Sequence, residues 1–300
     1  MSTGVVARDD IYDCVTNVFT PETLRVLDAA NTPESLLLAA GFADYEQAKG
    51  ESPRVKYADS GAFRAKALRL APNDEMVLTM VANRCSPRTV GESSALCTKD
   101  VALRLTELDP NNGFYWATLA HYELGDGNVE VALKNYQRAA GAQTFSTGWG
   151  EQVYRLANAL KEILVIETAC ASTIAAGYTG ASLPPYQEFT NTCRTYLDDQ
   201  TWRQACLDLG YKMETKALTF ASRRIGFPLQ RIVYGATQST VDLAAVDQRK
   251  EQLQSQMSKQ SSLYACLFKD SKLIDQWLLS LRDYEEVETT SRFATSTPDC

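Results

Sequence analysis

Few residues in this chain could carry chemistry, and their spacing limits what that chemistry could be. His121 is the only histidine, and there are eight cysteines. Carboxylates stand side by side at Asp198 and Asp199 and again at Glu285 and Glu286. A structural zinc site wants C-x2-C pairs or Cys/His clusters; the chain has no C-x2-C and a single histidine, so no metal is expected. No acid–histidine–nucleophile set can be read from spacing. Glycosidase-like carboxylate pairs could be drawn from either doublet. Neighbouring residues of a helix point apart, so both doublets read as exposed turn and helix-end charges. The glycine-rich "GYTGAS" lacks the lysine and the preceding strand of a phosphate loop and reads as a linker. No cofactor and no catalytic residue are therefore expected.

The cysteines say more about compartment than about catalysis. Cys85 and Cys97 bracket the polar loop "SPRTVGESSAL" between two apolar-periodic segments, and Cys193 and Cys206 bracket "RTYLDDQTWRQA". Each pair would close the open end of a helical hairpin. Closing a loop of that length contributes about 2–3 kcal/mol. Cys14, Cys170, Cys266 and Cys300 could form two more bonds in three connectivities; Cys266–Cys300 is favoured because the two are neighbours in sequence. Buried reduced thiols are the competing reading. Oxidised pairs point to a periplasmic or secreted protein, with the cytoplasm as runner-up. The start "MSTGVVARDD" has no apolar signal region, so an export signal, and any lipid anchor carried with it, would have been removed.

Composition narrows the partner class. The chain has 300 residues, 45% of them apolar, and a formal charge of −7 without any basic run. The electrostatic footprint of a nucleic-acid binder is missing. No stretch of 18 apolar residues offers a transmembrane segment.

The elements that would position these residues are helices. Apolar residues recur at three- and four-residue steps in "EMVLTMVANRC", "FYWATLAHYEL", "VEVALKNYQRAA" and "EQVYRLANALKEILVIETACAST", the period of amphipathic helices. Thr20–Pro21 and "TPES" at 32–35 are helix starts; "APND" and "DPNN" place Asn or Asp ahead of the next helix. Gly41, Gly125 and Gly141 read as stops. "AAGYTGASLPPY", 175–186, reads as the main break, and "VETTSRFATSTPDC" as a loose end. The predicted class is all-α.

Two segments repeat. "ALRLAPNDEMVLTMVAN" and "LTELDPNNGFYWATLAH" align on Pro72 and Pro110, matching Leu78 with Trp116, Val81 with Leu119 and Ala82 with Ala120, at an offset of 38. With Ala132, Tyr136, Ala139 and Gly127, the second copy resembles the tetratricopeptide repeat, a 34-residue helix–turn–helix unit. Glu123 departs from that pattern, and extra residues between Cys85 and Cys97 lengthen the first copy. The resemblance implies that Trp116 fills the space between two helices. It also implies that small Ala120 and Ala132 allow those helices to approach to about 8–10 Å, and that Tyr136 packs into the following helix. The layout of "ESLLLAAGF", "RAKALRLAPNDEMV", the cysteine-bounded loop and "LDPNNGFYWATLA" is also similar to a group of largely helical exported proteins of Xanthomonas-type bacteria. That likeness implies a periplasmic address and no activity.

From the repeat pattern follow an organisation and a role. Residues 1–73 would be capping helices, 74–145 repeats with a disulfide-braced loop, and 146–300 a further helical bundle broken near 175–186. Phe114 and His121, with Met76 and Asn83 as counterparts in the first copy, would line a concave groove. Such grooves hold a protein or peptide segment. Either a partner covers Phe114, or helices before 74 or after 145 fold over it. The expected function is a non-enzymatic periplasmic binding protein, with an immunity or inhibitor protein against a secreted toxin as a specialised form. A hydrolase whose site is assembled in the C-terminal half is the alternative of a different class.

Overall fold

Helix starts follow their capping residues. In a computed structural model, which describes residues 14, 17–49, 60–85, 96–181, 184, 186–267 and 270–296, Thr20 Oγ1 accepts from the Thr23 amide at 3.1 Å and opens α1 (Pro21–Ala30). Thr32 and Ser35 cap each other reciprocally at the start of α2 (Pro33–Lys49), and α3 (Ser60–Leu70) follows. Asp74 Oδ1 accepts from the Val77 amide at 3.0 Å to begin α4 (Glu75–Ala82). Next come α5 (Lys99–Leu108), α6 (Gly113–Gly125) and α7 (Val129–Gly141), then α8 (Trp149–Leu164) and α9 (Thr168–Ala181). The chain continues through α10 (Tyr186–Thr195), α11 (Gln200–Lys216), α12 (Phe220–Ala236), α13 (Thr240–Leu267) and α14 (Ser271–Ser296). The protein is all-α; extended pairing among the described residues is confined to the isolated bridges Asn112–Thr144 and Phe145–Ala217.

Three local expectations change. Gly41 does not stop a helix. It lies inside α2, where a β-carbon would collide with the ring of Tyr178, so it is a point of close approach to α9. The break at 175–186 shrinks, because α9 runs to Ala181 and α10 starts at Tyr186; Gly177 and Gly180 are helical. The Ser/Thr-rich end is helical to Ser296.

Packing order departs from chain order. Helices α4, α5, α6 and α7 pack in succession, but α7 then packs on α11, not on α8, and α11 is followed by α12 and α13. Helices α8 and α9 turn back onto α2 and α14. Two main cores result. One joins Leu27, Leu36 and Phe42 with Leu156, Ile174 and Leu281; the other joins Leu105, Phe114 and Tyr136 with Phe145, Trp202 and Leu229. The first core draws buried residues from all three segments, 1–73, 74–145 and 146–300, and the second from the latter two. Helix α4 lies between them: Met76, Val77 and Met80 belong to the first core, Leu78, Val81 and Ala82 to the second. A helix buried on all sides is apolar on all sides.

Cysteines staple this arrangement. Cys85 bonds Cys97 (Cα–Cα 5.2 Å) and Cys193 bonds Cys206 (5.8 Å), as expected from their spacing. Cys14 bonds Cys170 of α9 (6.1 Å) across 156 residues. The expected Cys266–Cys300 pair involves Cys300, which lies outside the described residues. No described helix is long and apolar enough to cross a membrane.

Candidate functional site

The segment 144–150 gathers elements distant in sequence. Asn112 caps α6 by accepting from the Phe114 amide at 3.1 Å, and the same side chain exchanges hydrogen bonds with the Ser146 backbone at 2.9 and 3.0 Å. The Phe145 carbonyl accepts from the Leu218 amide, and the Leu218 carbonyl from the Val287 amide, each at 3.1 Å. Three stretches of chain thus meet beside the starts of α8 and α12.

Glu285 makes that meeting possible. Its backbone lies at φ 60°, ψ −175° inside α14, a region that glycine almost alone visits without strain. The helix doubles back there. Ser280 Oγ donates to Thr289 Oγ1 at 3.2 Å, whereas nine residues of straight helix would separate them by about 13 Å.

At the corner the two adjacent glutamates cap two different helices. Glu285 Oε2 accepts from the Gly150 amide at 2.7 Å and Oε1 from Ser146 Oγ at 3.0 Å. Glu286 Oε2 accepts from the Phe220 amide and Oε1 from Gln260 Nε2, both at 2.8 Å. First-turn amides lack intrahelical acceptors, and the positive end of the helix favours a carboxylate. Gly150 is required here, since a β-carbon would run into the Leu281 carbonyl of α14.

These glutamates are half-buried, which corrects the expectation of exposed helix-end charges; that argument assumed a continuous helix. Burial pushes the Glu285 carboxyl up to about 7, against the pull of the Gly150 amide and the Ser146 hydroxyl. Burial also raises Glu286, against Gln260 and the Phe220 amide. The other doublet behaves as expected: Asp199 is exposed in a turn and caps α11 through the Thr201 and Trp202 amides.

Glu286 lines a cleft of about 560 Å³ where α8, α9, α12 and α13 converge. Trp149, Tyr186 and Phe220 form its aromatic wall, with Ile225 and Met257 beside them. Thr147, Thr219, Gln260 and Arg224 supply further polar lining. Thr147 is 4% exposed, and no hydroxyl partner occurs for it among the described residues. Arg224 is exposed and makes no hydrogen bond or ion pair among the described residues, with Glu286 or any other group.

The groove expected from the repeat pattern is closed. Phe114 is 1% exposed, Met76 4%, His121 6% and Asn83 7%. Phe145 packs edge-on against Phe114 with centroids 5.9 Å apart. Phe189 of α10 stacks on His121 at 4.7 Å. The chain's own later segments cover the face, because an apolar stripe on α6 is stabilised by any apolar cover that can reach it. Nor are the four residues gathered in one place: Met76 joins the first core and Phe114 the second. His121 Nε2 bonds the Tyr136 hydroxyl at 2.8 Å, and burial lowers the imidazole to about 3. It is neutral in the core and does not line the cleft.

Trp116 also departs from its expected place. It is half-buried, donates its indole N–H to the Pro110 carbonyl at 2.8 Å and carries Arg138 over its ring at 4.7 Å. Tyr115, fully buried, takes the interior position instead. Tyr136 packs on Trp202 of α11, at 5.3 Å.

Sequence reasoning missed the cleft because its lining runs from Thr147 to Glu286. The local signals were a cap-type threonine before "FASRR" and a carboxylate doublet with no helical partner. Among the described residues no cluster of three or more His, Cys, Asp or Glu could hold a metal ion. No family model matches the chain, and no curated protein or solved structure shows significant similarity to it.

Proposed function

We propose that this is a non-enzymatic binding protein of an oxidising space, the bacterial periplasm, and that it receives a segment of a protein or peptide partner in the cleft at the start of α12. One observation carries the reading. The cleft is partly apolar and within the size range of ligand sites, and it is lined by opposite charges, Glu286 and Arg224, that are not paired with each other. Opposite charges left apart beside an aromatic wall favour an external partner over internal closure. The stapled cysteine pairs fit an oxidising compartment.

Capture from the native envelope, followed by mass spectrometry, tests this with a filled cleft as control. Ile225→Trp is expected to abolish capture while leaving the melting temperature within about 2 °C, because Ile225 is only partly buried. A partner retained equally by wild type and Ile225→Trp would place the interface elsewhere.

A further inference from the structure

The chemistry of the cleft narrows what it grips. Among the described residues, three aromatic side chains, Trp149, Tyr186 and Phe220, line one space with a single carboxylate, Glu286. Aromatic faces carry negative quadrupole density and attract cations, most strongly where water is excluded. Tyr186 is 7% exposed and Phe220 4%, so these two rings are largely enclosed by neighbouring side chains, and the half-buried Trp149 presents the more open ring. Among the described residues no cationic side chain meets Glu286; its partners are an amide nitrogen and Gln260.

The carboxylate also discriminates between cations. A carboxylate offers about four acceptor positions, and here each oxygen already accepts one hydrogen bond. A guanidinium docks best as a fork, which here would need the last free position on both oxygens at once. An ammonium is a point charge and needs only one remaining lone pair. Arg224 lies one helical turn beyond Phe220 on α12, about 6 Å along the axis, and presents an uncommitted guanidinium at the same cleft.

Resting on the binding reading above, we infer that the cleft recognises an ammonium group, carried on a lysine side chain of the bound segment and held by Glu286 among Trp149, Tyr186 and Phe220. A carboxylate of the same segment meets Arg224.

The test is calorimetric titration of the full chain with three probes of one backbone: Nα-acetyl-lysine, Nα-acetyl-norleucine and Nα-acetyl-arginine. Nα-acetyl-lysine is expected to bind saturably, and the other two at least about tenfold more weakly, a difference of about 1.4 kcal/mol. Arg224→Gln, an exposed substitution, should weaken Nα-acetyl-lysine about fivefold or more by removing the carboxylate's partner. Glu286→Gln should remove the preference for lysine over norleucine; since Glu286 also caps α12, the comparison of probes on wild type stands without it. Equal binding of lysine and norleucine, equal binding of lysine and arginine, or no saturable binding of any probe would each overturn the inference. Loss of envelope capture in Ile225→Trp alongside any of these would leave the binding reading standing and remove only the ammonium assignment.

Discussion

His121 and Glu285 are both displaced by burial, but their effects on stability run in opposite directions with pH. The imidazole's folded value, about 3, lies below its ordinary 6.5. Its contribution is therefore whole above 6.5 and is lost as pH falls toward 3, because the unfolded chain takes up a proton that the core refuses. The Glu285 carboxyl, at about 7 in the fold, lies above its ordinary 4.5. Here the folded state holds the extra proton, so stability is greatest below 4.5 and declines as pH rises through 7. Between 4.5 and 6.5 the two slopes oppose, and a profile of the wild type alone would conceal both. Relative to wild type, Glu285→Gln should gain melting temperature from about pH 5 to about pH 7.5, and His121→Gln should gain it from about pH 6.5 down to about pH 4. Flat difference profiles would mean that both groups are solvated.

At the scale of the element, burial ranks side chains differently from the repeat pattern. Phe145 is fully buried in the second core, whereas Trp116 is half-buried on α6. Phe145→Ala should cost about 3–5 kcal/mol, as for an emptied aromatic site, and Trp116→Ala only about 1–2 kcal/mol. Urea denaturation distinguishes them, and a larger loss at Trp116 would contradict the packing of α6. A second element carries strain at its end. α8 terminates at Val165, a β-branched residue held in the left-handed region (φ 54°) and 86% exposed. Val165→Gly should add about 1 kcal/mol of stability, because glycine enters that region without a β-carbon clash. An unchanged or lowered urea midpoint would show that the turn carries no such strain.

At the scale of the molecule, the bond between Cys14 and Cys170 stands apart from Cys85–Cys97 and Cys193–Cys206. It closes a loop of 156 residues; the others span 12 and 13. Loop-closure entropy grows with length, so losing the long bond should cost about 5 kcal/mol and losing a short one about 3 kcal/mol. Paired serine substitutions at Cys14/Cys170 and at Cys193/Cys206, compared by denaturant midpoint, read this difference. Equal losses would mean that Cys14 remains beside α9 without the covalent tie. The two interleaved cores follow from the same long-range connectivity, with α8, α9 and α14 returning to the N-terminal helices.

The amino-acid sequence alone determined the helical class, the caps at Thr20, Asp74 and Asn112, the stops at Gly125 and Gly141, and the pairs Cys85–Cys97 and Cys193–Cys206. Each depends on residues within about a dozen positions, where side-chain type and spacing settle which backbone groups can be satisfied. Only the tertiary structure decided that Gly41 is a contact with Tyr178, that Phe145 and Phe189 close over α6, and that Glu285 and Glu286 cap two helices from one corner. Those outcomes join residues roughly 30 to 140 positions apart. A helical period records that a face needs an apolar cover, but not which segment arrives to supply it. Nor could the doublet at 285–286 be placed by a rule for continuous helices, since its function in the fold begins where the helix is broken.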